Sequence, residues 1–229
     1  MTIARSSILC CPAIVQIGGQ TFYSAGDIKL TPVPETFTPA TAMYGPGVPK
    51  LKGVSFKISF QPKGKWTTAM LAVLYPYASA VTGQSVYGST DTPCVIHPVD
   101  GAEKITFSCA AITKSPDNQF APDSELFKDV EIECILKNGG DLSALDAFYE
   151  LADASFTDTS YSESDNITVP YTVSLASVGS PWNAISTEGG VSVSYKLTLN
   201  PKMVSGLGMV DRRFASQEVE IIFKPVGMT

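Results

Sequence analysis

Val54 to Trp66 reads VSFKISFQPKGKW. Val54, Phe56, Ile58 and Phe60 alternate with Ser55, Lys57 and Ser59, and a period of two marks a strand with one buried face. Pro62 has no N–H for a central ladder, and Gly64 permits a sharp change of direction, so the strand has to stop and turn. Near the other end, Val219 to Thr229 reads VEIIFKPVGMT. It closes on the same Phe-x-Pro-x-Gly.

A shift of 163 brings the two regions together. Gly45 then meets Gly208, Lys50 meets Arg213, Ile58 meets Ile221, Phe60 meets Phe223, Pro62 meets Pro225 and Gly64 meets Gly227. Upstream, Lys29-Leu30-Thr31 recurs as Lys196-Leu197-Thr198, which makes the first loop four residues longer. Strands favour β-branched and aromatic residues and turns favour Pro and Gly, so part of the echo reflects composition alone. The shared order of elements points further, to a β-hairpin used twice, once over residues 28–64 and once over 195–227. The chain reads as one domain, 1–229.

Other segments carry the same signature. Cys94–Thr113 holds two β-rich runs around Asp100-Gly101, a pair suited to a tight hairpin turn. Val130, Ile132, Cys134 and Leu136 alternate with Glu131 and Glu133, which predicts a strand with its carboxylates on the solvent side. Asn166–Leu175 and Val191–Leu199 predict further strands. Pro170 confines the first to an edge or a bulge, and Glu188-Gly189-Gly190 reads as a turn leading into the second. Two segments read as helices. One is the apolar run Thr67–Tyr75, stopped by Pro76, which fits a short buried helix better than the buried strand that is its alternative. The other is Asp141–Ala154, with a capping-box-like Ser143 and Asp146 and a shared face of Leu145, Phe148, Tyr149 and Ala152. The acidic stretch Asp153–Asn166 predicts a solvated loop.

Composition narrows the function. Hydrophobic residues make up 44% of the chain, too many for a disordered one. The net charge of −6 argues against a protein that grips nucleic acid by neutralising phosphates. No apolar run reaches the ~20 residues a membrane span requires. The start of the chain has too short an apolar core for a signal peptide, and Leu9 fits poorly before a lipidated Cys10. Cys10, Cys11, Cys94, Cys109 and Cys134 form no metal-type pair and predict reduced, mostly buried thiols.

No catalytic constellation emerges. His97 is the single histidine. Asp91 or Asp100 could orient it, but no nucleophile pattern lies nearby. Short-spaced His/Cys clusters for metal and glycine-rich phosphate loops are both missing, so no cofactor is expected. Trp66 and Trp182 fit core packing better than an interface anchor.

Several stretches together resemble tail proteins of long-tailed bacteriophages and prophages, above all the major tail protein that builds the tail tube. They are FQPKGKWTTAMLAVLYPY, GQSVYGSTDTPCVIHPVDG, AAITKSPD, VEIECILKNGGDLSALDAFYELADASFTD and GMVDRRFASQEVEIIFKPVG. The resemblance runs from Gly45 onward and contains no catalytic signature. It implies a mainly β fold: an antiparallel β-sandwich with a flanking helix and extended hairpins that close into an oligomeric β-barrel ring. Six copies would form a ring, and rings would stack into a conduit through which DNA passes without specific binding. The implied partners are further copies of the chain and tape-measure, tail-tip and tail-terminator proteins. The implied location is the virion, after synthesis in the host cytoplasm and without membrane insertion. Lys57, Phe60, Pro62, Glu218, Glu220, Phe223 and Pro225 are the expected subunit-interface residues. With the shift of 163 Lys57 meets Glu220, so neighbouring hairpins would set opposite charges face to face. The competing expectation is a β-sandwich binding module that decorates a capsid or recognises glycans.

Overall fold

The computed structural model describes residues 13–41, 43, 45–63, 66–87, 92–98, 103–107, 109–121, 125–135, 149–151, 172–173, 185–204 and 208–226. In chain order the first strands are β1 (Ala13–Ile17), β2 (Gln20–Ser24), β3 (Lys29–Phe37), β4 (Ala40–Thr41), β5 (Gly45–Pro46), β6 (Lys50–Phe60) and β7 (Pro62–Lys63). Helix α1 (Thr68–Leu74) precedes β8 (Cys94–Pro98), β9 (Glu103–Phe107), β10 (Ala110–Lys114), β11 (Asn118–Phe120) and β12 (Val130–Ile135). The last strands are β13 (Tyr149–Leu151), β14 (Thr172–Val173), β15 (Ile185–Val204) and β16 (Gly208–Pro225).

Among the described residues every strand pairing is antiparallel. A six-stranded sheet runs β13-β9-β8-β1-β2-β7, and a four-stranded sheet runs β10-β12-β6-β3. Their facing residues form the main core. Val15, Ile17, Phe22, Cys94, Ile96 and Phe107 come from the first sheet; Ile58, Phe60, Ile112, Val130, Ile132 and Cys134 come from the second. Helix α1 adds Met70 and Leu74. It starts where the Thr67 hydroxyl accepts the Met70 N–H and so satisfies one of the open donors of the first turn. Pro76 follows its C-cap, as the sequence predicts. Trp66 packs on Phe127 with ring centroids 4.0 Å apart, a core role.

The mainly β, antiparallel expectation is met. Among the described residues no sheet closes into a barrel. Cys94–Pro98 and Glu103–Phe107 pair as the expected hairpin, although its Asp100-Gly101 turn lies outside the described residues. Three local readings are corrected. Tyr149–Leu151 is not helical: it pairs with β9 at the edge of the six-stranded sheet, where a short amphipathic segment finds backbone partners. The rest of Asp141–Ala154, the acidic stretch Asp153–Asn166, Trp182, Cys10 and Cys11 lie outside the described residues. Glu188-Gly189-Gly190 is a bulge inside the 20-residue β15, not a turn before it. Gly190 has φ +94, and a Cβ there would sit 2.2 Å from the Phe120 carbonyl oxygen, so glycine lets β11 approach. Glu133, expected on the solvent side, is 2% exposed.

Residues 28–64 and 195–227 both contain hairpins. In the first, β3 pairs with β6, Lys29 facing Ser59 and Thr31 facing Lys57. In the second, β15 pairs with β16, Lys196 facing Glu218 and Thr198 facing Ser216. The first hairpin is the outer part of the four-stranded sheet. The second carries β11 and β14 on the other edge of β15, and among the described residues β16 pairs with no strand except β15.

Candidate functional site: the anchored hairpin and its open edge

The second hairpin is fastened at its middle to the outer face of the four-stranded sheet. Residues 75–87, which follow α1, are the fastener. Gly83 N–H donates to the Phe214 carbonyl, Phe214 N–H to the Gln84 carbonyl and Val86 N–H to the Arg212 carbonyl, a three-bond extension of β16. Tyr75 packs on Tyr195 at 4.9 Å between centroids, and Tyr77 stacks on Phe214 at 5.5 Å with ring planes 11° apart. The Tyr77 hydroxyl donates to the Ile112 carbonyl, while Tyr75 bonds both the Pro116 carbonyl and Asn118. Ser85 donates to Asp211 at 2.7 Å.

Beneath these contacts lies a charge pair whose carboxylate is buried and whose guanidinium is half-buried. Arg212 on β16 grips Glu133 on β12 through two nitrogens, Nε and Nη2, the latter at 2.9 Å from Oε1. Tyr87 donates its hydroxyl to Oε2 at 3.0 Å. Tyr87, Cys109, Ala111 and Ile135 pack around the pair as a second small core. A bidentate guanidinium–carboxylate contact is the geometry best able to offset the desolvation of both ions. Its bonds to Glu133 hold the Arg212 guanidinium above its ordinary range. Burial, reinforced by the Glu133 charge, does the same for the Tyr87 phenol. Burial also raises Tyr75 and Tyr77 above the usual phenol range.

From Ser216 onward β16 leaves this cover. Val219, Ile221 and Ile222 are each more than half exposed, and Val226 beyond the strand is too. A free strand edge with alternating apolar residues is a template for another chain. Along it lies an open groove of about 650 Å³, lined by Tyr75, Tyr77, Tyr195, Phe214, Gln217 and Val219 among others. The first hairpin also ends in exposed apolar residues, Phe37, Met43, Val48 and Leu51.

The expected interface residues separate into two sets. Glu218, Glu220, Phe223 and Pro225 all lie on the open part of β16, with only Phe223 half-buried. Lys57 is exposed on the outer face of the four-stranded sheet, opposite Thr31 and Glu133. Phe60 and Pro62 are corrections: both are fully buried and reach no surface. Phe60 ends β6 in the core, and Pro62 opens β7 on the opposite sheet, so the segment is a corner of the sandwich. Within the chain Glu220 is taken by Lys196 at 3.2 Å and not by Lys57. Arg212 and Glu133, the residues that hold the hairpin, carried no local signal. A buried carboxylate inside an alternating strand shows itself only once its partner 79 residues away is known.

His97 is buried, and its possible partners Asp91 and Asp100 lie outside the described residues. Among the described residues no group of three His, Cys, Asp or Glu side chains could hold a metal, and no helix is long and apolar enough to cross a membrane. Cys94, Cys109 and Cys134 are buried free thiols, and burial pushes the Cys134 thiol up. No protein-family model matches the chain, and no curated protein matches it.

Proposed function

We propose that this chain is a structural subunit that assembles with its own copies into rings stacked as a tube, in the manner of a phage tail tube, and that the tube is a conduit for DNA. The observation that carries the reading is the anchored hairpin β15–β16. It is long, held firmly at its middle, and open along one apolar edge. A stable monomer gains nothing from such an edge and risks aggregation; a subunit that pairs edge to edge with its neighbours needs one. The exposed apolar end of the first hairpin supports the same reading, because a ring requires each copy to offer two contact regions. The chain's net charge of −6 fits a conduit that must not hold DNA through its phosphates.

Negative-stain electron microscopy of the concentrated full chain tests the reading. Hollow tubes or six-fold rings are the expected result. A species that stays unassembled at every concentration, and binds glycans through the tyrosine-lined groove, would overturn it in favour of the binding module. Tape-measure, tail-tip and terminator proteins are the further partners this reading proposes.

A further inference from the structure

The open edge of β16 is self-complementary. Cover by residues 82–86 ends where the Thr82 hydroxyl donates to the Ala215 carbonyl at 3.3 Å, and the strand ends at Pro225. The free stretch from Gln217 to Pro225 has Ile221 at its centre. If two copies pair antiparallel about a two-fold axis at Ile221, Glu218 lies opposite Lys224 twice, Val219 lies opposite Phe223 twice, and Ile221 faces itself. Glu218 is exposed and has no ion-pair partner among the described residues. Lys224 meets Glu188 of its own hairpin at 2.6 Å on the same strand face, and would sit between that carboxylate and Glu218 of the second copy. A register two residues further on sets Lys224 against Glu220, which Lys196 already holds, and leaves Glu218 opposite Val226.

The groove gives an independent reason for the same register. Val219, Ile221 and Phe223 share a face with Tyr195, Val193 and Val191, their opposite residues on β15. That is the face on which Tyr75 packs against Tyr195 and on which Gln217 and Val219 line the groove. With the axis at Ile221, Phe223 and Pro225 of the second copy fall beside Val219 and Gln217. Their side chains enter the aromatic groove, and the reverse happens at the other end of the pair.

We propose that the free subunit forms a closed dimer through β16, with Phe223 and Pro225 of each copy in the tyrosine-lined groove of the other. Such a contact is isologous: it uses the same patch on both copies and cannot propagate. It covers the open edge and keeps it from wrong partners until assembly displaces it. The inference uses the edge that the tube reading uses, and the two are tested apart.

Sedimentation velocity of the full chain over a concentration series reads the dimer. Glu218→Lys alone, or Lys224→Glu alone, sets like charges opposite each other at both ends and raises the dissociation constant roughly tenfold. The combined Glu218→Lys/Lys224→Glu variant restores it. Ile221→Cys gives a disulfide-linked dimer on mild oxidation, beyond anything the wild type gives, whereas Gln217→Cys does not. Two results overturn the proposal: a monomer at every concentration, or a dimer that the single charge changes leave intact. Tubes without a solution dimer sink this inference and leave the proposed function standing. A dimer with the stated charge pattern but no tubes does the reverse.

Discussion

Phe60-Gln61-Pro62-Lys63 and Phe223-Lys224-Pro225-Val226 share a spelling with the glycine that follows each and end hairpins, yet these two segments sit in opposite environments. At Gln61 the first segment leaves the four-stranded sheet, and at Pro62 it enters the six-stranded one. The Gln61 carbonyl accepts from Ala25 N–H just past β2, and its side chain donates to the Phe127 carbonyl ahead of β12, so the corner is pinned from two sides. The second segment simply runs to the end of an open strand, with the Val226 N–H returned to the Ser186 carbonyl. The free edges differ as well. On the first hairpin, β3 carries exposed Pro32 and Pro34 in phase, opposite Phe56 and Val54. Two prolines in register withhold N–H donors from any further strand. The open stretch of β16 has no such guard until Pro225. The same turn chemistry therefore serves a closed corner in one place and an open edge in the other, and the difference lies in what each strand faces.

The largest expected break in this comparison is between the two phenylalanines. Phe60→Ala should cost about 3–5 kcal/mol, because it empties a fully buried site in the main core. Phe223→Ala, on the edge strand, should cost under about 1 kcal/mol. Urea unfolding of the two variants measures both, and equal losses would erase the distinction. Next in size is Arg212→Ala. It leaves the buried Glu133 carboxylate without its guanidinium, a loss of about 3 kcal/mol or more. Hydrogen exchange should then show β16 opening near Arg213 and Phe214 while β3 and β6 keep their protection.

How much of this was readable beforehand depends on the distance to the deciding neighbour. The alternation in Val54–Phe60 identifies a strand, and Ile58 and Phe60 are buried as it requires. The apolar run before Pro76 marks a short buried element, which is helix α1 where a buried strand was the alternative, and the β8–β9 pairing follows from a turn-forming dipeptide. All three rest on residues close in sequence. That Phe60 is fully buried and Phe223 only half-buried cannot come from a shared motif, because each depends on which strands pack behind it. Glu133 occupies a polar slot in its alternation, and only residues 75–87 and Arg212, brought over that face, bury it. Gly189-Gly190 has the dihedrals of a turn, and here those dihedrals serve a bulge that brings β11 close. The open apolar edge of β16 was half legible. Its residues stood out in the sequence, but their exposure followed from the absence of a further strand among the described residues.

Gly190→Ala tests the far anchor of the second hairpin. Its φ of +94 and the 2.2 Å approach to the Phe120 carbonyl both penalise a side chain. The loss should be about 1–3 kcal/mol, with the β11–β15 pairing released first in hydrogen exchange. Alkaline pH acts on the same hairpin. Tyr75, Tyr77 and Tyr87 resist ionisation when folded but ionise near pH 10 when unfolded. Above that pH the unfolded chain sheds protons that the folded chain keeps, so their contribution is present below about pH 10 and stability falls as pH rises beyond it. The fall should be about 1 kcal/mol per tyrosine for the first pH unit. Thermal melts across that window measure it, and Tyr75→Phe should make the fall shallower.

The smallest expected change in stability gives the finest test of the comparison. Pro32→Val with Pro34→Val restores two N–H donors to the outer edge of β3 without touching its pairing to β6. Valine suits an extended, exposed strand, so unfolding stability should move by less than about 1 kcal/mol. Association should change more. If the prolines are what keeps the first hairpin from recruiting strands, the double variant gains a second mode of self-association. Light scattering would detect it, and Lys224→Glu on β16 would not suppress it. If scattering stays at the wild-type level, something other than missing donors protects that edge. The exposed Thr31 and the charged Lys29 on the same strand are then the next residues to change.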